Sequence, residues 1–344
     1  MSENRTEIAS LGEFGLIEHL TKNAETQNAS TILGVGDDAA VIDHFGKQTV
    51  ITTDLLLEGI HFDLMYTPLK HLGYKAVVVN LSDIYAMNAT PTHITLSIGI
   101  SNRFSVEALN EFYEGVYFAC EKYGVDLIGG DTSSSQKGFI ISVTAVGEVA
   151  PDQFIKRSTA SKGDLICVSG DLGGAYLGLT LMEREKKIYQ ENPNIQPDLE
   201  GESYIVGRLL KPEARKDIVE FFSKNEIVPT AMMDVSDGVS SEVLHICKQS
   251  GLGARVYEEK LPIADASRKA AFKFGLDPTV CALNGGEDYE LIFTIRQEDH
   301  DKIVLNEEIS VIGYMTEITE GVKLLTKGGN TFDLKAQGWN AFNS

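Results

Sequence analysis

Apolar and polar positions along the chain alternate in a way that predicts short strands and amphipathic helices in mixed order. The clearest helix covers residues 106–123. Leu109, Phe112, Val116, Ala119 and Cys120 fall on one face there, and Gly124 supplies the stop. Residues 72–87 read as a second helix, with Asn88 suited to a left-handed end. The first 30 residues read as a helix with a polar tail.

Strand patterns fill the spaces between. Residues 49–53 are β-branched and end at Asp54, and residues 59–64 alternate as a half-buried strand. Residues 94–100 and 139–149 are strands, and 125–128 is a buried strand that runs into Gly129-Gly130-Asp131. A boundary is expected at Ala150-Pro151-Asp152. Beyond it, residues 164–168 form a strand that meets the glycines of 170–174. Residues 187–201 are polar, contain Pro193 and Pro197, and predict a mobile loop. Residues 231–235 are a short strand, and Val239, Val243, Ile246 and Cys247 stripe a helix that stops before Gly251-Leu252-Gly253. Later strands are expected at 291–295 and 309–314. This order suits an α+β class with two α/β domains, 1–150 and 151–344, rather than a regular βαβ alternation.

Composition narrows the partners. The chain has 344 residues, 43% of them hydrophobic, which is enough for two cores. Its 30 Lys and Arg against 50 Asp and Glu give a net charge of -20. That sign argues against nucleic acid and against an anionic membrane surface. The four cysteines, at 120, 167, 247 and 281, have neither metal nor redox spacing and read as small core residues. No signal-peptide pattern and no run of 18 apolar residues is present, so the cytoplasm is the expected compartment.

The acidic residues carry the chemistry. They gather beside glycine or a hydroxyl residue in Gly36-Asp37-Asp38, Thr52-Thr53-Asp54, Ser82-Asp83, Gly130-Asp131-Thr132, Asp234-Val235-Ser236-Asp237-Gly238 and Gly286-Glu287-Asp288. One such residue is ordinarily a cap or a turn former. Six, expected at strand ends, predict convergence. Two carboxylates about 4 Å apart repel by roughly 4 kcal/mol at an effective dielectric near 20, so converging sets need divalent cations between them. Hard oxygen donors select Mg²⁺, Mn²⁺ or Ca²⁺, and Mg²⁺ binds through one or two carboxylates plus substrate phosphates. Gly34-Val35-Gly36-Asp37-Asp38-Ala39 fits a dinucleotide fingerprint only in outline, because its two carboxylates would oppose a pyrophosphate. P-loop, protein-kinase, H-E-x-x-H and G-x-S-x-G motifs are absent.

In this order, the motifs at 36–40, 52–62, 80–83, 129–132, 234–238 and 285–291 make the chain resemble the thiamine-monophosphate kinase family over nearly its whole length. That family's superfamily also holds aminoimidazole ribonucleotide synthetase, selenophosphate synthetase and a hydrogenase-maturation dehydratase. The resemblance implies a homodimer in which N-terminal domains pair into a β-barrel, and a C-terminal α/β sandwich that completes the site. It implies transfer of the ATP γ-phosphoryl group to thiamine monophosphate, with several Mg²⁺ ions. Metal ligands would be Asp37, Thr52, Thr53, Asp54, Asp83, Asp131, Asp234 and Asp237. Tyr113, Gly130, Asp131, Arg157 and Ser236 would contact ATP, and His61, Glu287 and Trp339 the thiamine side. Asp83, Asp237 and Arg157 would carry the transfer. An acceptor phosphate is already deprotonated near neutral pH, so no general base is required.

The chain departs from the family pattern at Tyr85, where a small residue is usual, and at Asn88 and Thr159, which stand where glycine is common. Selenophosphate synthesis would call for a reactive Cys in a glycine-rich N-terminal segment, and the dehydratase for a C-terminal Cys. Neither is present. A non-catalytic Mg–nucleotide sensor is the rival of another class.

Overall fold

A computed structural model describes residues 19–33, 41–42, 46–151 and 153–337. The chain divides into two compact units, Met1–Phe154 and Ile155–Ser344.

The N-terminal unit contains a short antiparallel pair, β1 (Thr31–Leu33) and β2 (Val41–Ile42), and a four-stranded sheet. The sheet runs β3 (Gln48–Leu57), β6 (Ile140–Val149), β4 (Thr90–Ile100), β5 (Asp126–Ser134). Neighbours are antiparallel except β4 and β5, which run parallel. Two helices, α1 (Leu69–Ala86) and α2 (Val106–Tyr123), pack together beside it. Their close approach depends on two glycines. A Cβ on Gly73 would lie 1.9 Å from the Phe112 carbonyl oxygen, and one on Gly115 would lie 1.8 Å from that of Lys70. Such contact lets α1 be buried on most sides, as its apolar run 76–79 requires. Ser105 caps α2 by accepting from Ala108 N–H, and Gly124 ends it at φ 70°. Asn88 takes the left-handed conformation expected of it, at φ 58°.

The C-terminal unit holds a seven-stranded sheet. Its order is β13 (Thr331–Asp333), β12 (Val322–Leu325), β9 (Leu252–Tyr257), β11 (Ile309–Glu317), β7 (Leu165–Ser169), β10 (Leu291–Ile295), β8 (Ala231–Asp234). Only β12 and β9 are parallel. One face packs α6 (Val239–Ser250) through Val243 and Ile246 against Ile166, Val168, Met233 and Val256. The other meets α5 (Lys216–Lys224), where Phe222 and Phe293 stack edge to face at 4.8 Å. The remaining helices are α3 (Gly174–Glu191), α4 (Ser203–Leu210), α7 (Asp265–Lys273), α8 (Pro278–Asn284) and α9 (His300–Ile303). Leu177, Leu181, Ile205 and Cys281 form a second cluster there. All four cysteines are free and buried, and burial pushes the Cys281 thiol up to about 11. Among the described residues, no helix is long and apolar enough to cross a membrane.

The mixed two-unit α/β architecture agrees with the α+β class. Several details differ. Residues 59–64 form turns, not a strand: Gly59 adopts φ 83°, and His61 N–H bonds back to the Leu57 carbonyl. Residues 187–191 continue α3, because the helical pattern outlasts the change to polar composition. Asp54 and Asp131 lie within strands that run on to Leu57 and Ser134, and Asp83 lies inside α1. Among the described residues, the expectation of acids at strand ends therefore holds for Asp234 and for the turn before β10. The four-stranded sheet is open, with no closed barrel among the described residues. Most of the first 30 residues lie outside the described ones.

Candidate functional site

In the N-terminal unit the pleat of β3 decides which hydroxyls reach the acids. Even-numbered positions turn toward the helices and odd-numbered ones away, as the alternating burial shows. Thr52 and Asp54 thus share a face. The Thr52 hydroxyl donates to Asp83 Oδ2 at 2.7 Å, joining strand to helix. Asn80, one turn earlier on α1 and fully buried, accepts from the Asp54 N–H at 2.9 Å. Thr53 faces the other way, and its hydroxyl donates to the Val143 carbonyl. A ligand at Thr53 on the Asp83 side would have to use the main chain.

Asp131 and Gly130 are exposed on β5, across the sheet from β3. Two intervening strands mean roughly 14 Å of sheet width at about 4.8 Å per step. One cation cannot be shared between Asp54 and Asp131 side chains over that span. Gly130 has its own reason: a Cβ there would lie 1.7 Å from the Leu96 carbonyl oxygen. Tyr113, an expected ATP contact, is only 5% exposed and packs against Phe112 and Tyr117. Burial raises its phenol well above the ordinary tyrosine range. His61 accepts the Leu57 N–H at Nδ1, 3.0 Å away, which leaves Nε2 as the proton-bearing nitrogen of a neutral ring. Asp37 lies outside the described residues.

In the C-terminal unit Asp234 ends β8 and is buried, and the chain turns through Ser236 and exposed Asp237 into α6. The turn carrying Glu287 docks on this loop through its backbone. Glu287 N–H bonds the Ser236 carbonyl at 2.8 Å, Tyr289 N–H the Val235 carbonyl at 2.9 Å, and Val235 N–H the Glu290 carbonyl at 2.8 Å. Glu287 and Tyr289 both adopt positive φ, 61° and 52°, and the Tyr289 hydroxyl donates to Glu287 Oε1 at 3.1 Å. Such strain persists only where surroundings hold it. Here the holding groups are charged. Arg208 Nη2 donates to the Asp288 carbonyl at 3.2 Å and pairs with Glu290 Oε1 at 3.0 Å. Arg215 also pairs with Glu290, and buried Asp288 accepts the Gly173 N–H at the start of α3. Arg157 is exposed just before β7. Trp339 lies outside the described residues.

One acid escaped the sequence reading. Glu242, in the first turn of α6, is buried and accepts the Asp237 N–H at 2.9 Å. Burial, and then the Asp237 and Asp234 charges, push its carboxyl up to about 8 against the pull of backbone N–H groups. Its spacing from Asp237 matches no named motif; only a helix starting at Val239 brings it back to the loop. Among the described residues no three His, Cys, Asp or Glu stand together as a metal-holding group. The donors are nevertheless hard carboxylate and hydroxyl oxygens in ones and twos. That suits Mg²⁺ completed by water and substrate phosphate rather than a cage of protein ligands.

Residues 36–149 match the AIR synthase related protein, N-terminal domain, and 161–322 the AIR synthase related protein, C-terminal domain. The chain is 35% identical over 329 residues to thiamine-monophosphate kinase of Aquifex aeolicus (strain VF5), covering 94% of this chain and 99% of that one. It is 32% identical over 340 residues to the Bacillus subtilis (strain 168) enzyme, covering 96% and 100%. Among solved structures, thiamine-monophosphate kinase from Stenotrophomonas maltophilia K279a gives a TM-score of 0.76 at 31% identity, with 93% and 95% covered. AaThiL complexed with AMPPCP and TMP gives 0.75 at 33%, with 99% and 100% covered. The hydrogenase maturation protein HypE in complex with ATP, at 20% identity, shares the fold. Motif order, fold and full-length similarity agree: the chain belongs to the thiamine-monophosphate kinase family.

Proposed function

We infer that this enzyme transfers the γ-phosphoryl group of ATP directly, in line, to the phosphate of thiamine monophosphate, yielding thiamine diphosphate and ADP. The observation that carries the reading is full-length similarity, at 33% identity, to a structure holding both AMPPCP and TMP. In this reading Thr52, Asp54 and Asp83 form one set of oxygen donors in the N-terminal unit, with Asp131 a separate point on β5. Asp234 and Asp237 form another set in the C-terminal unit, and Asp37 adds a carboxylate. Bound Mg²⁺ would neutralise the phosphate oxygens so that donor and acceptor can approach.

The chain's own residues orient the substrates. His61, its Nδ1 already taken by the Leu57 N–H, offers an Nε2 proton to the thiamine phosphate. Glu287, held in its strained turn, faces the cationic thiazolium as a fixed negative charge. Trp339 would stack on the thiamine rings. Arg157, exposed and with a fork suited to phosphate, clamps ATP. Gly130 and Ser236 supply polar contacts to ATP, and buried Tyr113 supports that side by packing.

The N-terminal unit would act as a dimer. Ile51 and Leu55 are 66% and 53% exposed on the odd face of β3, an edge strand of an open sheet. A second copy closing a barrel would cover them and satisfy that edge. The cytoplasm is the expected compartment.

The test is incubation with ATP, Mg²⁺ and thiamine monophosphate. ADP and thiamine diphosphate should appear in equal amounts, and neither without the metal. ATP binding with no product would favour a nucleotide sensor instead. Sedimentation equilibrium should return twice the chain mass; a monomer would remove the barrel.

A further inference from the structure

The loop from Asp234 to Gly238 is fixed on two sides. A Cβ on Gly238, at φ 111°, would lie 2.8 Å from the Leu283 carbonyl oxygen, so α8 is in contact there. The Glu287 turn holds the other side through its backbone. Glu242 is the side chain that reaches into this loop from within α6. It is 1% exposed, and its Oε1 accepts the Asp237 N–H at 2.9 Å.

Its second oxygen is the unusual one. Glu242 Oε2 is buried and meets no hydrogen-bond donor among the described residues. A buried carboxyl oxygen without a hydrogen-bond partner is costly, and native chains rarely keep one without a use. Asp234 and Asp237 are the charges that act on Glu242, and both have the same sign. A proton donor carrying positive charge relieves both problems. Water on a divalent cation is such a donor, and Mg²⁺ holds its waters tightly. Direct ligation is the weaker alternative, since these acids do not form a three-residue metal group.

We propose that Glu242 is a positioning residue of the cation site. Its Oε1 sets the Asp237 backbone, and its Oε2 receives a hydrogen bond from a water on the divalent cation that Asp234 and Asp237 hold. The proposal rests on reading those two aspartates as ligands. Outer partners of this kind tune metal affinity by about 10–100-fold.

Glu242→Gln separates the two roles. The amide keeps an oxygen for the Asp237 N–H but puts an NH₂ where Oε2 stood, which cannot accept from a metal-bound water. Mn²⁺ would be titrated onto the full chain with AMPPCP, with free Mn²⁺ read by electron paramagnetic resonance. Glu242→Gln should weaken Mn²⁺ binding about tenfold or more while the cation-free Tm stays at the parent value. Glu242→Ala should lower both. A Gln variant within twofold of the parent in Mn²⁺ affinity overturns the proposal. So does one that loses Tm along with affinity, because Glu242 would then be a structural prop. Asp234→Asn and Asp237→Asn distinguish the underlying reading. If neither weakens Mn²⁺ binding, the ligand assignment itself fails; if both do and Glu242→Gln does not, only the role of Glu242 falls.

Discussion

Asp83 in the N-terminal unit and the Asp288–Glu290 pair in the C-terminal unit sit in contrasting surroundings. In the N-terminal unit Asp83 is half-buried and takes a hydrogen bond from the neutral hydroxyl of Thr52. In the C-terminal unit Asp288 and Glu290 are buried against Arg208 and Arg215. A neutral hydroxyl donates to a carboxylate without adding an opposing charge. A guanidinium supplies that charge and turns the acid into a structural link. Acid-rich motifs that look alike in sequence therefore do different work. Within residues 285–291, Glu287 is the acid that remains partly exposed, while Asp288 and Glu290 brace the turn that presents it.

Exchanging the charge in each setting breaks the comparison most sharply. Asp83→Asn and Asp237→Asn should cut kcat/KM by about 10²–10³-fold or more, with Tm close to the parent. Steady-state kinetics beside thermal melts would check this, and parental activity in both would remove them from the metal sites. Glu290→Gln should act the other way, on stability. Removing the buried charge that Arg208 and Arg215 share leaves them to Asp288 and Asp217 and costs about 3 kcal/mol, the lower end for a broken buried pair. Urea unfolding would measure it. A Glu290→Gln loss no larger than that of Asp83→Asn would erase the distinction between the two settings.

A smaller effect tests the sheet that carries Asp131. Gly130→Ala puts a methyl against the Leu96 carbonyl and should cost about 1–3 kcal/mol. Gly129→Ala has nothing within 4 Å and should leave the melting curve nearly unchanged. Equal effects would mean that the β4–β5 approach is not as close as described.

The smallest effect concerns His93, fully buried between Thr31 and Thr92. Burial lowers its pKa below 6.5, although Asp126 and Glu148 pull upward. The unfolded ring takes up a proton first as pH falls. The stability contribution of neutral His93 is therefore present above pH 6.5 and is lost as pH drops through the lower folded value. Melts between about pH 7 and 5 should show a steeper decline for the parent than for His93→Gln.

Much of the fold was legible because periodicity and capping are local. The helix at 106–123, its Gly124 end and the left-handed Asn88 follow from neighbouring residues alone. The turn at 59–64 was misread because alternation of apolar residues also fits successive turns, and Gly59 at positive φ overrides it. For the candidate site, residue types and motif order were readable, but facing was not. Thr53 looks as good a donor as Thr52 in sequence, yet the pleat turns it to the Val143 side. Tyr113 sits one step from the apolar stripe, and packing against Phe112 and Tyr117 draws it inside.

The sequence by itself determined the family, the acidic chemistry and the identity of most candidate residues, because these depend on which side chains occur and in what order. Tertiary structure decided which partners these carboxylates meet. Asp83 meets a hydroxyl from a strand 31 residues away, and Glu290 meets guanidinium groups 75 and 82 residues away. Electrostatic environment is set by such distant neighbours and by burial, and neither is written in the spacing of a motif. The same holds for Glu242, an unremarked helix residue whose significance arises only when α6 turns it back on Asp237.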